Sequence, residues 1–361
     1  VSFLDDLLRP ELADAKPYLP TQGHFRVRLD ANEAPELFEP RVRERLGRAF
    51  TELALERYPD ATAKTLRDAV AERLGVEPNE LLMGVGSDEI LALLVTALAR
   101  PRRASEPPIV VTTSPTFVMY KMSARLRGQR VIEVPLDADW DLAEEAMLKA
   151  LELGPPHLVF IASPNNPTGT LMTRERLERV IRAAPRSLVV VDEAYIDYAD
   201  RSQLDLFRNH ENVAILRTLS KVGFAALRIG WLVGRPELVR ELDKIRLPYN
   251  SSGVAQALGA LVVSELWDDV LAVVKSVKSE RARLAEVLAR ELGVGVSPAQ
   301  ANFLWVKTKG AAGDVFRGLA ERGVLVRSFH ESGGRLSHQL RITVGSPVEN
   351  DELVRAWREL A

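Results

Sequence analysis

An α/β fold is what this sequence predicts: a mostly parallel, doubly wound central sheet in a large domain, with a smaller α+β domain beside it. Three observations lead there. Between about residues 80 and 235, short apolar runs alternate with helical patterns, the signature of βαβ units. Several of those runs are β-branched on both faces, which suits strands covered on both sides. In the last third the alternation gives way to one long helical pattern and three spaced strand candidates.

The elements follow in chain order. The first fifty residues carry Pro10, Pro17, Pro20, Pro35 and Pro40 and read as an irregular arm plus a connecting segment. Leu81-Leu82-Met83 reads as a strand, and 88–99 as the helix after it. Further strands are expected at 109–113, 131–135, 157–162, 188–191, 213–217 and 229–234, with a helix over 173–184. A long helix is expected over 271–292, where Val273, Val274, Val277, Leu284, Val287 and Leu288 recur at helical spacing. Strands at 303–307, 324–328 and 340–344 complete the smaller domain. The domain expectation is an arm and part of the small domain at 1–45, a large domain at 46–247 and a small domain at 248–361.

Composition excludes several chemistries. The 48 Lys and Arg against 50 Asp and Glu leave a formal charge of -2, without the positive surplus that nucleic acid or an anionic membrane surface needs. There is no cysteine, which removes disulfides, thiolate metal sites and thiol nucleophiles. The five histidines are scattered and none has ligand-like spacing. The start, Val1-Ser2-Phe3-Leu4, lacks a basic region followed by an apolar core, so no signal peptide is expected. No apolar run reaches the roughly 18 residues of a membrane span. A cytoplasmic location is the expectation.

Ligands of doubly wound sheets bind beyond the carboxyl ends of the strands, so the residues after each strand carry the argument. Gly84-Val85-Gly86-Ser87-Asp88-Glu89 leads into an apolar helix and offers backbone N–H groups to an anion, although alone it also reads as a plain turn. Ser163-Pro164-Asn165-Asn166-Pro167-Thr168-Gly169 is a proline-fixed turn that can present an asparagine amide. Leu188-Val189-Val190-Val191 runs straight into Asp192-Glu193-Ala194-Tyr195, leaving a carboxylate where burial demands a cationic partner. Thr218-Leu219-Ser220-Lys221 puts one lysine among apolar and small residues, where an amine becomes nucleophilic toward carbonyls. Pyridoxal 5'-phosphate needs this set: a lysine for its imine, an acid at its ring nitrogen, donors at its phenolic oxygen and a phosphate cradle. On this reading Asp192 faces the ring nitrogen, and Asn166 and Tyr195 meet the phenolic oxygen. The backbone of Gly86, Ser87 and Asp88, with Ser220 and Arg228, holds the phosphate.

The chain resembles the fold-type I aminotransferases of the aspartate aminotransferase superfamily, and within them the histidinol-phosphate branch. The resemblance rests on the motifs above together with Leu29-Asp30-Ala31-Asn32-Glu33, Arg57-Tyr58-Pro59, Ser114-Pro115-Thr116, Arg217-Thr218-Leu219-Ser220-Lys221 and Leu340-Arg341-Ile342-Thr343-Val344-Gly345. They occur in family order from about residue 29 to 345. The resemblance implies Lys221 as the Schiff-base lysine and general base, Asp192 as the pyridinium partner, and Arg341 as the receptor of the substrate carboxylate. It implies Arg327 at the substrate phosphate, and Tyr18 and Asn32 near the substrate. Tyr58 would reach the cofactor phosphate of a neighbouring subunit, hence a homodimer with shared sites. Histidinol phosphate and glutamate/2-oxoglutarate are the implied substrates, with no nucleic-acid or membrane partner. Two departures stand out. Phe117 occupies the position of a ring-stacking tyrosine, and the Lys221–Arg228 spacing is one residue shorter than the common pattern. An aromatic or broad-range aminotransferase, a threonine-phosphate decarboxylase-like lyase and a non-catalytic module are the alternatives.

Overall fold

The computed structural model describes every residue except 1, 2, 5, 6, 13, 14, 16, 18–20, 105 and 361. Seven strands form the central sheet: β1 (Leu81–Val85), β2 (Ile109–Ser114), β3 (Arg130–Pro135), β4 (Leu158–Ala162), β5 (Leu188–Asp192), β6 (Val213–Thr218) and β7 (Ile229–Val233). Their spatial order is β1-β7-β6-β5-β4-β2-β3. The pairs from β6 across to β3 are parallel. Only β7 runs against its neighbours β1 and β6.

Side-chain alternation explains why these runs read as apolar throughout. Val159, Ile161, Val189 and Val191 enter one core, while Leu158, Phe160 and Val190 enter the other. A strand buried on both faces has no polar side to show. Each such side chain contributes about 1.5–3 kcal/mol of transfer free energy on burial. The chain runs from β2 out to β3 and then returns to the opposite side of β2 with β4. That reversal opens a crevice at the carboxyl ends of the strands.

A second, antiparallel sheet holds β8 (Gly295–Val296), β9 (Phe303–Lys307), β10 (Arg327–Ser328) and β11 (Gln339–Thr343), in the order β10-β11-β9-β8. The long helix Trp267–Glu291 packs along it. Among the described residues no helix is long and apolar enough to cross a membrane.

Two sequence expectations are corrected here. The first fifty residues are not irregular throughout, because Pro40–Thr51 is a helix. Proline suits its first turn, where the missing N–H would have no partner anyway. The segment 324–328 is not one strand. Val324–Leu325 pairs in parallel with Val27–Arg28, and Arg327–Ser328 pairs with β11 in the other sheet. Val326 lies between them, buried, so the chain passes from one sheet to the other.

Candidate active site

The carboxyl ends of β4, β5 and β6 lie side by side, since Asp192 is in register with Ala162 on one side and Leu216 on the other. Asp192 is only 4 % exposed. Its Oδ2 accepts a 2.6 Å hydrogen bond from the Tyr120 hydroxyl, and its Oδ1 accepts from the Ala194 N–H at 3.0 Å. Among the described residues no cationic side chain pairs with it, and a phenol and a backbone amide hold it. Burial pushes its pKa up to about 6; the two donors oppose the shift, and the charges of Asp88 and Glu193 add to it. The adjacent Glu193 is fully buried and paired with Arg217 at 2.6 Å, which anchors the end of β5 to β6.

Lys221 follows β6 in a wide turn over Ser220–Phe224. Gly223 makes this turn possible, with φ at +103°. A side chain there would also meet the Phe38 ring, whose Cε2 lies 2.4 Å from where a Cβ would sit. The backbone carbonyl of Lys221 accepts from the Tyr198 hydroxyl at 2.7 Å, and its Nζ lies 5.8 Å from the Tyr195 ring centre.

The helix Gly86–Ala97 starts directly after β1, so the N–H groups of its first turn, Ser87 and Asp88 included, have no partner within the helix. Arg228 joins this helix start. Its guanidinium lies 3.4 Å from Ser220 Oγ and 3.5 Å from Asp88 Oδ2, and its backbone is left-handed at φ +51°. On β7, Gly230 allows the strand to press on the same helix start, because a Cβ there would stand 2.6 Å from Gly86 C and Ser87 N.

Opposite these groups lies the second sheet. Its register sets Arg327 directly across from Arg341. Arg341 is buried and donates to Asn166 Oδ1 at 2.6 Å and to the Asp30 carbonyl. Arg327 is exposed to solvent. Asn32, buried with φ at +56°, donates from Nδ2 to the Tyr195 hydroxyl at 2.9 Å and accepts from the Thr343 hydroxyl at 3.2 Å. Asn165 is used structurally, accepting from the Thr116 hydroxyl at 2.8 Å and so joining the ends of β2 and β4. Asn166 alone of this pair faces the cavity.

One cavity of about 550 Å³ gathers these residues. Ser87, Asp88, Phe117, Asn166, Asp192, Tyr195, Ser220, Lys221 and Arg228 line it, as do Asn32, Arg327 and Arg341. Gly86 lies beside it, at the Arg228 guanidinium. Tyr58 is not among the lining residues. It is 83 % exposed and stacks on Tyr249 with ring centres 4.8 Å apart. Tyr18 lies outside the described residues.

The model of the class I and II aminotransferases matches residues 26–356. The chain belongs to this family. It is 41% identical to a histidinol-phosphate aminotransferase of Methylibium petroleiphilum, over 92% of this chain and 88% of that one. Histidinol-phosphate aminotransferase 1 of Ralstonia nicotianae is 38% identical over 98% of this chain and 95% of its own. The crystal structure of the histidinol-phosphate aminotransferase of Sinorhizobium meliloti in complex with pyridoxal-5'-phosphate superposes with a TM-score of 0.83 at 26% identity, covering 94% of this chain and 92% of that one.

This aminotransferase therefore depends on pyridoxal 5'-phosphate, and its cavity fits that group. A buried carboxylate without a cationic partner suits a protonated pyridine nitrogen. A helix start with a serine and an arginine beside it suits a phosphate. Sequence reasoning missed Tyr120 and Phe329. Tyr120 sits three residues after Phe117, one helical turn on, and that aromatic spacing was the available signal. Phe329 follows Arg327 into the cavity lining, and nothing in its sequence context distinguishes it from a core residue.

Proposed function

We propose that this aminotransferase moves an amino group between histidinol phosphate and 2-oxoglutarate, yielding imidazole-acetol phosphate and glutamate, as a step of histidine biosynthesis. The observation that carries this reading is the cross-strand pair Arg327 and Arg341 in one cavity with Lys221. Like charges directly opposite each other in a sheet repel, so their retention calls for anionic ligands. One guanidinium can take the carboxylate common to glutamate and 2-oxoglutarate, and the other a phosphate ester. The names of the relatives point to the same substrate.

Pyridoxal phosphate, when bound, supplies an aldehyde that exchanges amino groups and a ring that draws electrons from the bond to the substrate Cα hydrogen. Lys221 Nζ would hold the cofactor's aldehyde carbon and would serve as the base for the Cα proton of the amino donor. Asp192 would hold the ring-nitrogen proton, Tyr195 and Asn166 would serve the phenolic oxygen, and Phe117 would pack on the ring. Ser220, Arg228 and the first-turn N–H groups of residues 86–88 would hold the phosphate. Asn32 acts through the Tyr195 hydroxyl, to which it donates. Arg341 receives carboxylates, and its bond to Asn166 ties substrate arrival to the phenolic side of the cofactor. We assign Tyr58 to the site of a second subunit, on the strength of its exposure and its absence from the lining of its own cavity. The large and small domains divide near residues 46 and 248, and the cavity draws residues from both sides.

The test is a half-reaction followed by absorbance. Histidinol phosphate and glutamate should each bleach the visible band of the lysine-linked cofactor, faster than tyrosine or phenylalanine. Lys221→Ala should lack that band and lose about 10²–10⁴-fold in rate, the usual weight of a general base. A response to aromatic amino acids alone would assign a different substrate. Carbon dioxide release without an amino acceptor would make the protein a lyase.

A further inference from the structure

The cofactor-facing carboxylate is held by a hydroxyl that the mechanism above does not use. Tyr120 lies on the helix Val118–Arg125, and its side chain is fully buried. Its ring stacks on Phe160 of β4 with centres 5.0 Å apart and planes within 6°, and meets Phe117 edge-on at 5.6 Å. Two aromatic neighbours thus fix the ring, and among the described residues the hydroxyl donates one hydrogen bond, 2.6 Å to Asp192 Oδ2. We propose that Tyr120 is a positioning residue that keeps Asp192 ionised and aimed at the cofactor's ring nitrogen. The inference rests on the proposed role of Asp192 and deepens it.

A buried carboxylate gains a proton readily, and a protonated Asp192 offers nothing to a cationic ring nitrogen. A hydroxyl that donates to the carboxylate favours its ionised form. Charged or titratable groups near the pair include Asp88 at the helix start, Glu193 on the next residue and Tyr195 across the cavity, and Lys221 and Arg228 line the same cavity. Asp88 and Glu193 both push Asp192 toward protonation, which leaves Tyr120 and the Ala194 N–H as the donors opposing them. The Tyr120 phenol itself is pushed well above its ordinary range by burial and by the Asp192 charge, so it stays a donor across the working pH range.

The decisive experiment reconstitutes the apoenzyme with pyridoxal 5'-phosphate and measures the dissociation constant across pH. Tyr120→Phe keeps the ring stack and removes only the donor. Its acid limb of cofactor binding should move up by about 1–2 pH units, the equivalent of one hydrogen bond to a charged group. Fluorinating the Tyr120 ring strengthens the donor and should move the limb the other way, which keeps the test open if the phenylalanine variant folds poorly. In an Asp192→Asn background neither change should move the limb. An unmoved limb in both Tyr120 variants, or an equal change in the Asp192→Asn background, would overturn the inference. If Asp192→Asn itself leaves cofactor affinity and the visible band untouched, the role of Asp192 fails first, and the two failures are told apart.

Discussion

Burial raises the Asp192 carboxyl from its ordinary 3.8 to about 6, and this couples the folding of the cofactor-free chain to pH. The folded chain binds the proton more tightly than the unfolded one. The stabilisation is therefore complete below pH 4 or so and is lost as pH rises through about 6. At pH 7.5 the ionised, buried group costs roughly 3 kcal/mol. Urea unfolding should find the Asp192→Asn apoenzyme more stable than the parent at pH 7.5, with the gap narrowing toward pH 5. Saturating pyridoxal phosphate should reverse the order, because the parent alone keeps a full charge partner for the ring nitrogen. A gap that is flat with pH would contradict this account. The arginines should separate the two half-reactions. Arg341→Ala should raise KM for glutamate about 10–100-fold, as loss of a charge-assisted pair predicts. Arg327→Ala should act mainly on the phosphorylated substrate, and steady-state kinetics with each substrate decides. At this scale the lysine and the aspartate were legible in sequence, because each follows an apolar strand. Tyr120 was not, since its bond to Asp192 spans 72 positions of chain.

Among the elements, the junction of β7 with the start of the helix Gly86–Ala97 leaves no room for a single added atom, because backbone stands 2.6 Å from where a Gly230 Cβ would sit. Gly230→Ala would drive a Cβ into the Gly86–Ser87 backbone, and backbone cannot swing aside as a flexible side chain can. Overpacking of this kind costs about 1–3 kcal/mol. Apoenzyme reconstitution should show affinity for pyridoxal phosphate reduced at least tenfold, with a smaller loss of thermal stability. Unchanged affinity would remove the helix start from the phosphate site. The strands of the central sheet were read nearly to their ends, because burial on both faces leaves an unbroken apolar run. Val27–Arg28 escaped the same reasoning, and Val324–Leu325 was read only as part of one longer strand. Val27–Arg28 and Val324–Leu325 are too short for any period, and each is a strand only because the other lies beside it.

For the whole molecule, the cavity is assembled from segments that include Asp30, Ala31 and Asn32 near one end of the sequence and Arg341 near the other, so no single unit of the chain holds it complete. Tyr58 and Tyr249 form an exposed aromatic pair away from it. Sedimentation should give twice the 40.0 kDa of one chain. Tyr58→Ala should weaken cofactor binding while leaving that mass unchanged. A monomer that binds the cofactor at full affinity would remove the second subunit from the site.

The sequence by itself determined the α/β class, the strand ends that matter and the chemistry they carry, since both-face burial and an abrupt polar residue are local signals. It also determined that no thiol takes part, as a matter of composition. Only the tertiary structure decided that Asp192 is held by the Tyr120 phenol, that Arg327 faces Arg341, and that Asn32 reaches Tyr195. These pairings depend on register and on which side of β2 the chain returns to, and neither is written in the spacing of residues along one strand.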